Sequence, residues 1–251
     1  MTALSVNLNA VAMLRNRRDV GWPSVTGIAR VVLDAGAHGV TVHPRPDERH
    51  IRTTDVYELA DLLRNDYPRA EFNIEGYPDE RFLKLVEAVK PHQVTLVPDD
   101  PGQSTSDHGW DIAANEQVLK AVIARLHGSG LRVSLFIDED PNAPALAAMV
   151  GADRVELYTG PYGASFRTDE GREHLDDLVA TANAAREART GDGGGRPLGI
   201  NIGHDLTLEN LPSFVAAVGQ VDEASIGHGI TADALILGFA EAVRRYKAVL
   251  A

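Results

Sequence analysis

The sequence predicts an α/β protein, a (β/α)8 TIM barrel, and three observations favour this fold class. The length of 251 residues is typical of one such barrel. Eight short apolar runs rich in β-branched residues alternate with longer helical patterns. The repeats average roughly 30 residues, which is the size of one strand-helix unit. We therefore expect a single domain that spans residues 1–251.

The predicted elements follow one another in strict alternation along the chain. Each strand is a short apolar run bounded by turn residues, and each helix is a longer segment with apolar positions at helical spacing. The strands are predicted at residues 4–9, 39–43, 71–75, 93–98, 132–138, 154–158, 198–203 and 224–227. The helices are predicted at residues 23–36, 55–66, 79–90, 115–129, 142–150, 169–189, 208–218 and 231–249.

The alternation predicts a parallel sheet, because neighbouring parallel strands require a helical crossover. An open, doubly wound sheet is the alternative architecture. That architecture usually has fewer strands, and no Gly-x-Gly-x-x-Gly pattern follows the first strand of this chain. Eight consecutive units therefore favour closure of the sheet into a barrel.

Two connections differ from the short loops that join the other elements. Residues 99–114 form the longest unpatterned stretch after a strand, and loops of this length tend to be lids or binding loops. The glycine-rich segment 190–196 follows a helix and precedes a strand. We therefore expect it at the opposite end of the barrel, as a flexible connector.

The composition excludes several classes of protein. Contents of 44% hydrophobic and 24% charged residues are typical of a globular protein. The net charge of −12 argues against nonspecific binding to nucleic acid or to an anionic membrane. The absence of cysteine excludes disulfides, thiolate zinc sites and a cysteine nucleophile. No signal-peptide pattern opens the sequence and no apolar run approaches ~18 residues, so we expect a cytoplasmic protein.

Polar side chains stand at the carboxyl ends of the predicted strands, where a barrel of this kind places its active site. Any one of them could be solvated or bonded to a loop, but imidazole and carboxyl groups from five strands would share one cavity. Such groups can be tuned for acid–base chemistry near neutral pH. In chain order the set is Asn7, Asn9, His43, Glu75, Pro98, Asp99, Asp138, Glu156, His204 and His228.

Arginines are concentrated in the loops that follow the first two strands. Because a guanidinium group can bind phosphate oxygens with two hydrogen bonds, this excess in an acidic chain indicates a phosphorylated substrate. The alternative is a set of solvated arginines or of salt bridges between subunits. Six of the 20 arginines lie there, namely Arg15, Arg17, Arg18, Arg45, Arg49 and Arg52.

The last two units share a motif. Residues 202–207 read Ile-Gly-His-Asp-Leu-Thr, and residues 226–231 read Ile-Gly-His-Gly-Ile-Thr. Both place a glycine at a strand end before a helix, where backbone N–H groups and the helix dipole can hold an anion. Tight turns alone could also explain the glycines, and Asp205 would repel a phosphate in the first copy.

Several of these motifs resemble the pyridoxine 5'-phosphate synthase family, in order and over nearly the whole chain. The most specific is residues 43–51, which read His-Pro-Arg-Pro-Asp-Glu-Arg-His-Ile. Further matching segments are residues 6–9, 14–16, 72–78, 96–98, 133–138, 156–160, 203–204 and 225–228.

The resemblance implies a catalytic barrel with extra helical elements that assembles as a homo-oligomer, commonly an octamer. It also implies a reaction, the condensation of 1-deoxy-D-xylulose 5-phosphate with 3-amino-2-oxopropyl phosphate. The products in the family are pyridoxine 5'-phosphate, inorganic phosphate and water. The resemblance implies neither a metal nor an organic cofactor.

The resemblance also implies roles for individual residues, matched position by position. His43 resembles the proton acceptor, Glu75 the central acid–base group, His204 a proton donor and Glu156 the transition-state stabiliser. Contacts to the deoxyxylulose phosphate are implied for Arg45, His50 and Thr105. Contacts to the amino ketone phosphate are implied for Asn7, Arg18, Gly227 and His228, with Arg18 serving the site of a neighbouring subunit.

The chain departs from the better-known family pattern at two places in the substrate-binding set. Residues 7–10 read Asn-Leu-Asn-Ala where the pattern has Asn-x-Asp-His, so Asn9 and Ala10 replace an acid and an imidazole. Asp205 stands where a glycine usually follows the histidine of the seventh strand. Because the three presumed proton-transfer residues are intact, we expect altered affinity before altered chemistry.

Three alternative functions fit parts of the same pattern. A metal-dependent hydrolase would use His43, His204, His228 and Glu156 as ligands, although the first strand lacks the usual His-x-His pair. A phosphosugar epimerase or isomerase would need two acid–base groups and a phosphate site, but one substrate. A non-catalytic paralogue would bind phosphate esters and form no product.

Overall fold

The computed structural model is a closed barrel of eight parallel strands, and it describes residues 1–99, 103, 105–190 and 195–251. Each strand pairs with its neighbour in the chain, and β1 closes the barrel against β8. The predicted fold class is therefore confirmed. The strands are β1 (Ala3–Asn7), β2 (Gly39–Val42), β3 (Glu71–Gly76), β4 (Gln93–Leu96), β5 (Arg132–Ile137), β6 (Arg154–Tyr158), β7 (Gly199–Gly203) and β8 (Glu223–Ile226).

Helices pack around this barrel. Each predicted helix has a counterpart in the structure, with bounds that differ by a few residues. The helices are α1 (Asn9–Asn16), α2 (Val25–Asp34), α3 (Thr53–Asp66), α4 (Glu80–Val89), α5 (Glu116–Gly128), α6 (Ala143–Met149), α7 (Gly160–Ser165), α8 (Asp169–Glu187), α9 (Leu211–Val218), α10 (His228–Leu237) and α11 (Phe239–Val249). No helix in the described part of the chain is long and apolar enough to cross a membrane.

Four of these helices differ from the elements predicted from the sequence. The first strand ends at Asn7, and Asn9 belongs to α1, not to the strand as expected. The helices α1 and α7 were not predicted. The single helix predicted at 231–249 is two helices, because Gly238 adopts a φ of 76° that ends α10. An isolated glycine in an apolar pattern does not reveal such a break.

The barrel is lined with polar side chains and is apolar on its outside. Outward residues such as Val6, Val40 and Ile74 are fully buried under the helices. Between them, a band of hydroxyl and amide groups crosses neighbouring strands. Its hydrogen bonds join Ser5 to Thr41 at 2.7 Å, Asn73 to Thr41 at 3.4 Å and Thr95 to Asn73 at 3.1 Å. Barrels of this class usually fill the interior with branched apolar residues.

Four pairs of strands are joined at their amino ends by the same device. In the first pair, Nδ1 of His38 accepts from the backbone N–H of Leu4 at 3.0 Å, and the N–H of His38 donates to the Leu4 carbonyl. We call this reciprocal arrangement an amide clamp. The residue just before the even-numbered strand supplies the acceptor in each case, and the other three clamps join His92 to Phe72, Asp153 to Val133 and Asp222 to Ile200.

The two unusual connections are described in part. Residues 100–102 and 104 of the predicted lid lie outside the described residues, as do residues 191–194 of the glycine-rich connector. The later part of the lid is pinned to the barrel, since Trp110 Nε1 donates to the Leu96 carbonyl at 2.9 Å. The Gly109 N–H donates to Asp138 at 2.7 Å. Residues 195–198 lead into β7 at the amino end of the barrel, as expected.

Candidate active site

A cavity of about 370 Å³ opens at the carboxyl ends of the strands. It collects twelve of the thirteen residues of the predicted site. Arg18 is exposed and is not among the described residues that line this cavity. The twelve are Asn7, Asn9, His43, Arg45, His50, Glu75, Thr105, Glu156, His204, Asp205, Gly227 and His228.

Glu75 is a buried carboxyl group near the end of β3. Asn7, the last residue of β1, donates through Nδ2 to Glu75 Oε2 at 3.3 Å. Burial, and then the negative charge of nearby Asp99, raise the pKa of Glu75 to about 7. Glu75 can therefore both accept and donate a proton near neutral pH.

His43 directly follows β2 and is also buried. Its backbone N–H donates to Asn9 Oδ1 at 2.9 Å, so Asn9 ties the end of β2 to the start of α1. Burial, followed by the positive charge of Arg45, lowers the pKa of His43 well below its ordinary value. The ring is therefore neutral at pH 7 and can accept a proton.

Glu156, on β6, is buried in the same cavity, and no group in the described ranges forms a hydrogen bond with its Oε2 atom. Burial, and then the charge of Glu75, raise the pKa of Glu156 well above its ordinary value. The neighbouring strand makes room for this group, since a Cβ on Gly203 would overlap Glu156 Oε1. Two carboxyl groups of raised pKa thus lie in one cavity.

The backbone turns sharply after β7. His204 and Asp205 have φ values of 80° and 53°, in the left-handed region that favours glycine. Aspartate tolerates this region better than most residues, which explains how Asp205 can occupy a position where the related pattern has glycine. The turn holds the His204 ring against Phe136 and Tyr158, at centroid distances of 5.1 Å and 5.4 Å.

His204 differs from an exposed histidine in its burial, its hydrogen bonding and its pKa. Its Nε2 atom is buried and has no hydrogen-bond partner in the described part of the chain. Burial lowers the pKa of His204, and the charge of Asp205 opposes this effect. Because the unpartnered ring nitrogen belongs to a residue that lines the cavity, a bound molecule can supply its missing partner.

The six loop arginines divide into different roles. Arg45 lines the cavity and is buried. Arg15 is not free to bind phosphate, because it is buried in an ion pair with Asp55. This contact joins residues 40 positions apart, so the arginine cluster alone did not reveal it. The side chain of Arg49 pairs with Asp47, and Arg52 is the N-cap residue of α3.

The two Gly-His motifs also differ. Gly227 is the N-cap residue of α10, which begins at His228, so this copy lies at a helix start as predicted. Helix α9 begins only at Leu211, so the motif at His204 does not open a helix as expected. The helix start inferred for both copies therefore follows the second directly and does not follow the first.

The cavity includes groups that the sequence analysis did not assign to the site. Ser106, Tyr158 and Met13 line it. Asp99 appeared among the strand-end residues but was not assigned a place in the site, and it contacts Arg45 and Ser106. Tyr158 could have been found from its position at the carboxyl end of β6.

The ligand set of the predicted metal hydrolase does not assemble. Across the described ranges, no three His, Asp or Glu side chains are grouped so that they could hold a metal ion. The proposed ligands His43, His204, His228 and Glu156 instead lie around the wall of the cavity.

Barrels of the (β/α)8 class keep their reacting groups at the carboxyl ends of the strands, and this chain is a barrel of that class with its acid–base cavity at that end. The family model described as "Pyridoxal phosphate biosynthesis protein PdxJ" matches residues 4–251. The chain therefore belongs to the PdxJ family.

Individual relatives agree with this assignment. The pyridoxine 5'-phosphate synthase of Brucella anthropi is 57% identical over 249 residues, which cover 99% of this chain and 98% of the relative. That of a Chelativorans species is 57% identical over 97% of this chain and 96% of its own. The structure of phosphoribosyl anthranilate isomerase from Thermotoga maritima covers 100% of this chain and 98% of its own, with a TM-score of 0.62. Its 13% identity shows a shared fold alone.

Proposed function

We propose that the chain is a single catalytic domain that acts as a pyridoxine 5'-phosphate synthase. Its substrates are 1-deoxy-D-xylulose 5-phosphate and 3-amino-2-oxopropyl phosphate. Its products are pyridoxine 5'-phosphate, inorganic phosphate and water. Membership of the PdxJ family and the names of relatives at 57% identity support this reaction.

The observation that carries the proposal is the pairing of neutral His43 with Glu75, whose pKa is about 7, in one cavity. The amine of one substrate attacks the ketone of the other and gives an imine with loss of one water. Proton removal and phosphate loss then create an unsaturated intermediate, to which one water adds, and ring closure with loss of two waters leads to the pyridine. Every step moves protons, so groups that exchange them near pH 7 serve in turn.

The remaining cavity residues fit supporting roles in this reaction. His43 accepts a proton, Glu75 relays protons, and His204 donates one through its ring N–H. Glu156, held protonated, stabilises developing negative charge by donating a hydrogen bond. Arg45, His50 and Thr105 hold the phosphate of the deoxyxylulose substrate. The residues that hold the amino ketone phosphate are Asn7, Arg18 of a neighbouring subunit, Gly227 and His228. Asn9 and Asp205 shape the same region.

The test is to mix the pure protein with both substrates, without added metal, and to follow pyridine absorbance and phosphate release. Product that requires both substrates supports the synthase and excludes an epimerase or isomerase. We expect Glu75→Gln and His43→Asn each to reduce turnover by about 100-fold or more. Binding without product would favour the non-catalytic paralogue, and near-unchanged turnover in both variants would remove the assigned roles.

We also propose that the protein is a cytoplasmic homo-oligomer, an octamer as the family resemblance implies. Exposed apolar side chains on α1, on the segment after it and on α10 support association, and α1 contacts α10. These side chains are Met13, Leu14, Val20, Trp22, Leu235 and Ile236.

Light scattering after size-exclusion chromatography tests the assembly. The double variant Trp22→Asp and Ile236→Asp should have a lower mass than the parent. Val118 on α5 is also exposed, so Val118→Asp is the matched control and should keep the parent mass. A parent that elutes as a monomer would contradict the proposal.

A further inference from the structure

Asp99 lies just after β4 and is buried beside Arg45 and Ser106, which line the active-site cavity, with 4% of its surface exposed. Its Oδ2 atom pairs with Arg45 Nη2 and accepts from Ser106 Oγ at 2.8 Å. The same oxygen lies 4.0 Å from Nε2 of His43. One carboxylate therefore contacts a cavity arginine and approaches a cavity histidine.

The other carboxylate oxygen of Asp99, Oδ1, is buried and has no hydrogen-bond partner among the described residues. A buried, half-satisfied carboxyl group costs free energy. Packing does not require it, since the hydrogen bonds described for Asp99 go to side chains and neither caps a helix. Such a cost is typical of groups that serve a functional site.

The contacts of Arg45 show what Asp99 can do for a ligand. Arg45 donates through Nη2 to Asp99 and through Nη1 to the Gln103 carbonyl at 3.2 Å. Two corners of the guanidinium plane are thus fixed at the edge of the cavity. A guanidinium group held in this way loses less conformational entropy when it binds a phosphate.

Asp99 also places its charge next to both proton-transfer groups. An imidazole ring that accepts a proton is stabilised by a nearby carboxylate, and Asp99 lies at that distance from His43. For Glu75 the effect is opposite in sign, because two neighbouring carboxylates disfavour ionisation of both. The charge of Asp99 is the second cause, after burial, that raises the pKa of Glu75.

We propose that Asp99 is a positioning residue of this active site, which fixes Arg45 for a substrate phosphate and supplies the negative charge that acts on His43 and Glu75. This inference rests on the proposed function for the identity of the phosphate. Other charged or titratable groups also act on these residues. They are Arg81, His50 and His204 near His43, and Asp107 and His108 near Asp99.

The test is Asp99→Asn in the full chain, because asparagine keeps the size of the side chain and an oxygen that can accept from Arg45 and Ser106. We expect kcat/KM to fall by about 10- to 100-fold, as for other residues that orient reacting groups. The limb of the pH–rate profile nearest pH 7 should also move to lower pH by about one unit, because Glu75 loses a like charge. A residue with a merely structural role would lower the rate and leave that limb in place.

Two further variants separate the charge of Asp99 from its shape and from general electrostatics. Asp99→Glu keeps the charge, so the limb of its pH–rate profile should stay near the wild-type position. Its KM should change, because the contact with Arg45 changes. Asp107→Asn removes an exposed carboxylate from the same loop whose charge acts on Asp99 rather than on Glu75, so its limb should move much less than that of Asp99→Asn. Asp99→Ser, which also removes the charge, serves if Asp99→Asn does not fold.

A second measurement is independent of turnover. Carbon-13 NMR of labelled glutamate carboxyl groups, with Glu75→Gln to assign the signal, should show Glu75 titrating at lower pH in Asp99→Asn. An unmoved Glu75 titration, or an equal shift in Asp107→Asn, would overturn the proposal. If the wild type forms no pyridine, the proposed function fails, and the NMR titration still decides the role of Asp99 in the charge of the site.

Discussion

Replacing Glu75 by glutamine should make the protein more stable above neutral pH while it removes activity. An unfolded glutamate ionises near pH 4.5, whereas folded Glu75 has a pKa of about 7. Between these values the unfolded chain releases a proton that the folded chain keeps, so the wild type loses stability as the pH rises through this window. At 1.36 kcal/mol per pH unit, the difference corresponds to about 3 kcal/mol above pH 7.

Glutamine removes this cost because it does not ionise, and its carbonyl can still accept from Asn7. We therefore expect Glu75→Gln to gain about 2.5 kcal/mol over the wild type at pH 8 relative to pH 5. Its turnover should fall by about 100-fold or more, which would be a trade of activity for stability.

Urea unfolding at pH 5, 6, 7 and 8, followed by circular dichroism at one protein concentration, measures the difference. Glu48→Gln is a control without this pH dependence, since hydrogen bonds from Thr53 lower the pKa of Glu48 below 4.5 and the group is ionised in both states above pH 5. That variant should lose stability by a nearly constant amount from pH 5 to 8. A free-energy difference between Glu75→Gln and wild type that stays constant from pH 5 to 8 would refute the reasoning.

Three further predictions concern groups outside the proton relay. Arg15→Met should cost about 3–5 kcal/mol in urea unfolding because it leaves Asp55 buried without its partner, and adding Asp55→Leu should recover most of this loss. Gly203→Ala should displace the Glu156 carboxyl, lower stability by about 1–3 kcal/mol and reduce turnover, so a fully active alanine variant would contradict the packing described. Burial lowers the pKa of His38, so its contribution to stability is present above pH 6.5 and is lost as the pH falls; unfolding of His38→Asn should be less sensitive to pH between 5 and 6.5.

The barrel could be predicted because its outward strand positions are apolar. Residues such as Val40 and Val42 lie under helices and form short runs that the helical segments separate. The break at Gly238 could not be predicted, because the same glycine in a continuous helix would leave the apolar pattern unchanged.

The site was predictable to a different degree at different residues. Groups directly at strand ends, such as Glu75 and His43, could be placed because all strand ends of a parallel barrel converge. The role of Arg15 depends on a partner 40 residues away, and that of Asp99 on a contact with Arg45, 54 residues away. Such pairings depend on the conformations of loops, which residue periodicity does not encode.

The four amide clamps divide the barrel into two-stranded modules, each closed by residues that are near one another in the chain. A circular permutant that begins just before β3, β5 or β7 would therefore keep every clamp within a continuous stretch of polypeptide. One that begins between the strands of a module would make a clamp depend on the two distant ends of the new chain. Natural boundaries for recombining this barrel with others thus fall before its odd-numbered strands.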